Sequence, residues 1–135
     1  MASTCAVVRN TTCTPRPAPY AMRHDPRFRA AIEQLNAGDY AEAADAFEEL
    51  FFEAVRDEVE PVRALMQVAT GMHHIERGQA RAAIERLEEG VAAIDRITND
   101  HGLDVSALRA AVVRAVAQLR AHQPVTRVRV TVSRS

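Results

Sequence analysis

The stretch Asn36-Ala37-Gly38-Asp39-Tyr40-Ala41-Glu42-Ala43-Ala44-Asp45-Ala46-Phe47-Glu48-Glu49-Leu50 decides how the rest of the chain is read. Tyr40, Ala43, Ala44, Phe47, Leu50 and, beyond it, Ala54 recur at three- and four-residue intervals, the signature of one apolar helical face. Asp39 with Glu42 three positions on is a capping-box pattern, in which side chains satisfy the free amides of a helix start. Forty residues later the order returns: Gly78, Ala83, Leu87, Glu88 and Glu89 match Gly38, Ala43, Phe47, Glu48 and Glu49. In each copy a Gly closes one helix and a small Ala five residues on lets the next helix approach closely. A large apolar residue four further on then fills the gap. Phe47 and Leu87 are therefore expected at matching places in a shared interior.

Outward from this repeat, Asp25 and Pro26 announce a first helix as N-cap acceptor and first-turn proline, and Phe28, Ile32 and Leu35 form its stripe up to Gly38. A third helix begins near Pro61. Its two adjacent apolar rows, Leu65, Val68, Met72, Ile75 and Val62, Met66, Ala69, mark it as the central and most buried one. A fourth carries Ala83, Ile84, Leu87, Val91 and Ile94. After the turn from Asn99 to Gly102, Asp104 opens a fifth with Val105, Leu108, Val112, Ala115 and Leu119. Short connections predict that consecutive helices pack antiparallel. The fold class is all-α, a five-helix antiparallel bundle built on two hairpins whose small-then-large spacing resembles the tetratricopeptide repeat, although the period of 40 exceeds the common 34.

Composition agrees. A chain of 135 residues with 47% hydrophobic residues fills one core. Aromatics are only 4% and Ala supplies 25 residues, which favours helix over strand. No apolar run approaches the roughly 18 residues of a membrane span. All 18 acidic residues lie between Asp25 and Asp104, so the body from 25 to 122 sets 11 Arg against 18 acids, a formal charge of −7. Such a body does not seek phosphate, which argues against nucleic acid as a partner.

The ends read differently. Residues 1–24 form a leader with Arg9, Arg16 and Arg23, no acid, and Pro15, Pro17 and Pro19 crowded together. The leader has transit-peptide composition but no amphipathic repeat, so disorder, or a start at Met22, is the favoured reading. Cys5 and Cys13 lie within it, too few for a disulfide framework and poorly spaced for zinc, which makes a reducing cytoplasm the expected setting. Residues 123–135 form a basic tail in which Val128, Val130 and Val132 alternate with Arg127, Arg129 and Thr131. It is read as disordered or as a short strand that pairs with another chain's copy.

The run Asn36, Gly38, Tyr40, Glu42, Asp45, Phe47, Glu48, followed by Leu65, Met66, Gln67, His73, His74 and Gly78, resembles the domain-of-unknown-function 309 family of small prokaryotic helical proteins. The resemblance spans residues 28–97 and implies a compact helical bundle with no assigned activity. In that family pattern a His stands where this chain has Ala44, and a large aromatic, usually Trp, where it has Phe51. If the family's polar positions form a site, the residues kept here are Glu42, Asp45, Glu48, Gln67 and His73.

Those residues are the only visible chemistry. Glu42, Asp45 and Glu49 fall at i, i+3 and i+7, and His73 with Glu76 makes an i, i+3 pair, so carboxylates and an imidazole could converge as in helical di-metal bundles. The single pair nevertheless runs His then Glu, opposite to the Glu-x-x-His of those bundles. A core imidazole bonded to a helix-two carboxyl is the favoured fate of His73. There is no Ser-His-Asp set, phosphate-cradling loop or CxxC pair. The reading is a non-enzymatic domain that binds a protein partner or itself, through outer rows of helices one, three and five, with no cofactor or metal required. The alternative is a metal- or small-ligand-binding bundle, or an enzyme, built on the helix-two carboxylates and His73.

Overall fold

The structure, a computed structural model, describes residues 22–132 apart from the side chain of Arg23. Cys5, Cys13 and the leader up to residue 21 lie outside the described residues, as do residues 133–135.

Five helices follow one another: α1 Pro26–Ala37, α2 Tyr40–Glu53, α3 Val59–Glu76, α4 Ala80–Asp95 and α5 Val105–Arg120. The local chemistry of their ends is as the sequence implies at α1 and α5. The Asp25 carboxylate accepts the Arg27 amide at 2.9 Å, and that of Asp104 accepts the Ala107 amide at 3.1 Å. α3 begins two residues before Pro61, which sits in the first turn where a missing N–H costs nothing. The expected capping box at Asp39 does not form: its side chain makes no cap bond. The Asp39 amide instead donates back to the Gln34 carbonyl at 2.9 Å, and the Asp39 carbonyl accepts from Ala43, so the backbone alone closes one helix and opens the next.

This turn recurs. Gly38 and Gly78 both take left-handed backbone, with φ of 91° and 73°. Gly38 N–H donates to Leu35 and Asp39 N–H to Gln34, and forty residues on Gly78 N–H donates to Ile75 and Gln79 N–H to His74, all between 2.9 and 3.1 Å. The hairpins α1–α2 and α3–α4 are thus the two copies read from sequence.

Phe47 and Leu87 are both fully buried in the common core, as their matched spacing required. Around Phe47 the interior is filled by size: the Phe28 ring meets it edge-on at 6.3 Å between centroids. Around Leu87 it is closed by approach. A Cβ on Gly71 would stand 2.8 Å from Leu87 Cδ2, so α3 and α4 can lie at this distance only because position 71 has no side chain. α3 packs between α2 and α4 and buries Val62, Leu65, Val68, Ala69 and Met72, which makes it the central helix. Among the described residues no helix is long and apolar enough to cross a membrane.

Both ends of the body depart from expectation. It begins with a turn at Met22–His24 that buries Met22 and accepts the Asp25 amide on the Met22 carbonyl at 2.9 Å, three residues ahead of the boundary drawn at Asp25. The described part of the tail is not disordered, nor does it need another chain. Val128 and Val130 are buried, and the Asn36 side chain donates to the Val130 carbonyl at 2.9 Å and accepts its amide at 2.8 Å. The Thr131 carbonyl accepts from the Asp104 amide at 3.1 Å, and Val132 forms an antiparallel bridge with Leu103. The period-2 pattern gives an extended segment with a single bridge, at Val132, and the molecule supplies its partners from a helix end and a loop.

Candidate functional site

With α3 held between two neighbours, one stripe of it stays outside the core. Arg63, Met66, Gln67, Thr70 and His73 are all only partly buried, between the fully buried rows. α2 contributes Ala41, Ala44, Asp45 and Glu48 to one side of this stripe and α4 contributes Arg86 to the other. From Met66 to His73 they enclose an open groove of about 380 Å³. A second depression, lined by Phe51, Arg63, Glu89, Ala92 and Arg96, shares Met66 and Gln67 with the first. The Arg63 guanidinium lies 5.3 Å from the Phe51 ring centroid, a cation–π contact that fixes the far end. From His73 to Arg63 the two run along ten residues of helix, about 15 Å.

The charges across the groove are arranged unevenly. Among the described residues Asp45 and Glu48 have no hydrogen-bond or ion-pair partner, so both carboxylates on the α2 wall remain free for a ligand. Opposite them, Arg86 Nη1 donates to Gln67 Oε1 at 3.4 Å and lies 3.7 Å from Glu89 Oε1. The Thr70 hydroxyl is turned into its own helix, donating to the Met66 carbonyl at 2.9 Å. The His73 side chain is 34% exposed, and its Nδ1 is buried without a hydrogen bond, 3.9 Å from Glu76 Oε1 on the same helix.

His73 is therefore not the core imidazole bonded to a helix-two carboxyl that the sequence suggested. The core row of α3 runs through Leu65, Val68, Ala69 and Met72, and His73 falls on the groove side of it. The carboxylates expected on one face also divide. Asp45 and Glu48 line the groove, whereas Glu49 faces the α1 side beside Arg27 and Gln34, and Glu42 is exposed without lining either. Among the described residues no three His, Cys, Asp or Glu side chains are grouped to hold a metal ion.

Of the remaining motif residues, Asn36 holds the C-terminal segment and Gly38 and Gly78 make the two turns. Tyr40 is buried, which raises its phenol above the ordinary value, partly countered by the nearby Arg127 cation. Sequence reasoning missed Arg86, which completes the groove from α4. Its place just before the buried Leu87 was the available signal, since that puts it on a flank of α4. Ala44 and Phe51 line the two depressions, so they share one surface with Asp45, Glu48, Gln67 and His73.

Residues 28–85 match the family model described as a domain of unknown function (DUF309). The matched span runs from α1 into α4 and takes in the motif residues from Asn36 to Gly78 on which the resemblance was drawn. The match ends before Arg86, α5 and the segment that Asn36 binds. No curated protein matches the chain.

Proposed function

We propose that this chain is a non-enzymatic binding domain that receives a segment of a partner protein in the groove between α2, α3 and α4. One observation carries the reading: Asp45, Glu48, Gln67 and His73, four of the five kept motif positions with Glu42 outside, converge on an open groove in which both carboxylates are unpartnered. A groove of about 15 Å suits roughly four or five extended residues or a short helix better than a compact molecule. Met66, where the two depressions join, is a soft side chain that adapts to different occupants. Catalysis has weaker support. Thr70 spends its hydroxyl on its own helix, and among the described residues His73 has no hydrogen-bonded orienting group. A tetratricopeptide-like stacking of hairpins, with its concave face as the docking surface, belongs to this reading, as does a cytoplasmic setting on the sparse cysteines. The partner can be a different protein or a second copy.

The rival reading, a metal or small-ligand site in the same groove, draws on a volume within the usual range for small molecules. The two separate by titration of the full chain, observed by amide NMR, with a panel of ten-residue peptides of mixed charge and, in parallel, with manganese, iron(II) and zinc. The binding reading expects peptide-dependent shifts at Ala41, Ala44 and Thr70 that vanish in a folded Glu48→Ala/His73→Ala variant. Shifts there with a metal and with no peptide would replace it by the rival.

A further inference from the structure

The C-terminal segment is held mainly through its backbone. The Asn36 amide pairs with both the N–H and the C=O of Val130, the Asp104 amide donates to the Thr131 carbonyl, and Leu103 bridges Val132, all in the manner of a neighbouring strand. Val128 and Val130 are buried and Val125 and Val132 are partly buried against the core, while Thr126, Arg127, Arg129 and Thr131 are exposed. The chain leading in from α5, residues 121–124, is exposed throughout, and His122 within it takes left-handed backbone at φ 57°. Gln118 of α5 accepts the Thr126 amide at 2.8 Å and donates to the Thr126 hydroxyl at 3.0 Å, so the segment is held by backbone contacts and valine anchors along its length, as a bound peptide is. Few buried contacts also place it at the easily opened end of the molecule.

We propose that the end of α1 and the α4–α5 connection form a receptor for an extended segment with valines at alternate positions. Residues 125–132 are its resident occupant, and the same segment of a second copy can replace them. Asn36 reads the backbone without regard to side chain, and the two valine sites set the register, since a shift by one residue would turn arginines inward. This site is independent of the groove.

The test uses the full chain carrying Val128→Asp and Val130→Asp, which disables the resident segment and leaves the receptor intact. A fluorescein-labelled peptide of residues 125–132 is then titrated in and followed by anisotropy. Saturable binding is expected to this variant, with none to the unaltered chain, whose site is filled. Adding Asn36→Ala, which removes both contacts to Val130, is expected to weaken binding roughly tenfold or more. A variant that keeps its helical circular dichroism and does not bind the peptide overturns the proposal, as does binding indifferent to Asn36→Ala. Loss of helicity on introducing the aspartates overturns it too, because the segment would then be part of the core rather than an occupant.

Discussion

The two hairpins make the same turn forty residues apart, and their surroundings are opposite. At Gly38 a Cβ would stand 3.3 Å from the guanidinium of Arg127, and Asn36 nearby grips the C-terminal segment. At Gly78 nothing lies within 4 Å, and the residue matching Asn36 is the exposed Glu76. Their interiors differ as well. The first hairpin has Ala31 and the large Phe47 where the second has Gly71 and the smaller Leu87, so one is filled and the other drawn tight. Equal turns under unequal cover show that the Gly-centred hydrogen bonds suffice to form a hairpin, and that tertiary neighbours decide what a change there costs.

The sharpest way to break the comparison is at the tight interface. Gly71→Val forces two methyls into Leu87 and is expected to cost about 3 kcal/mol, read from urea denaturation, against the gain that replacing a helical Gly normally brings. Gly90→Ala, on the same interface but 3.4 Å from its nearest neighbour, is expected to be neutral or to stabilise by about 0.5–1 kcal/mol. Equal losses at the two positions would mean that close approach is not what holds α3 to α4.

Next in size is the pair Asn36 and Glu76. Asn36→Ala leaves the Val130 backbone groups unpaired and is expected to cost about 1–3 kcal/mol, with much faster hydrogen exchange at the Val130 amide. Glu76→Ala at the matched place is expected to stay within about 0.5 kcal/mol. The turns themselves follow: Ala at Gly38 or Gly78 meets a left-handed penalty of about 1–2 kcal/mol. Only Gly38→Ala should also loosen the Val130 amide, because only there must Arg127 give way.

The smallest effect concerns two ion pairs, one inside the first hairpin and one joining the second to α5. Arg27 joins α1 to α2 through Glu53 at 2.8 Å, with the buried Asp25 on its other side, and never titrates in the working range. Arg109 joins α5 to α4 through Asp95 at 2.8 Å and holds that carboxyl below its ordinary value. Because the folded-state value is the lower one, the contribution is present above the unfolded value of about 4 and fades as pH falls through the folded one. The pair is exposed, so only a slight flattening of the acid limb of stability against pH is expected in Arg109→Gln.

Much of this was legible in the sequence, for local reasons. Helix stripes, the Asp25 and Asp104 caps, the paired glycines and the burial of Phe47 and Leu87 are written in spacings of three, four and forty residues. Asp45, Glu48, Gln67 and His73 could be singled out, but their meeting place could not, because the facing of His73 depends on which α3 row the core takes. For the tail, the alternation of valines offered a short strand beside disorder but was silent about its partners, Asn36 94 residues away and Leu103 and Asp104 ahead of α5. Asn36 was noticed as a motif residue for the same run of sequence, with nothing local to connect it to Val130.

Tyr40 has a practical bearing. The chain contains no tryptophan and two tyrosines, and the one described is buried at 4% exposure with its phenol under the influence of both Arg127 and Glu76. Its near-ultraviolet signal and titration therefore answer to the seating of residues 125–132, and the molecule carries an intrinsic optical gauge of its own closure that needs no label.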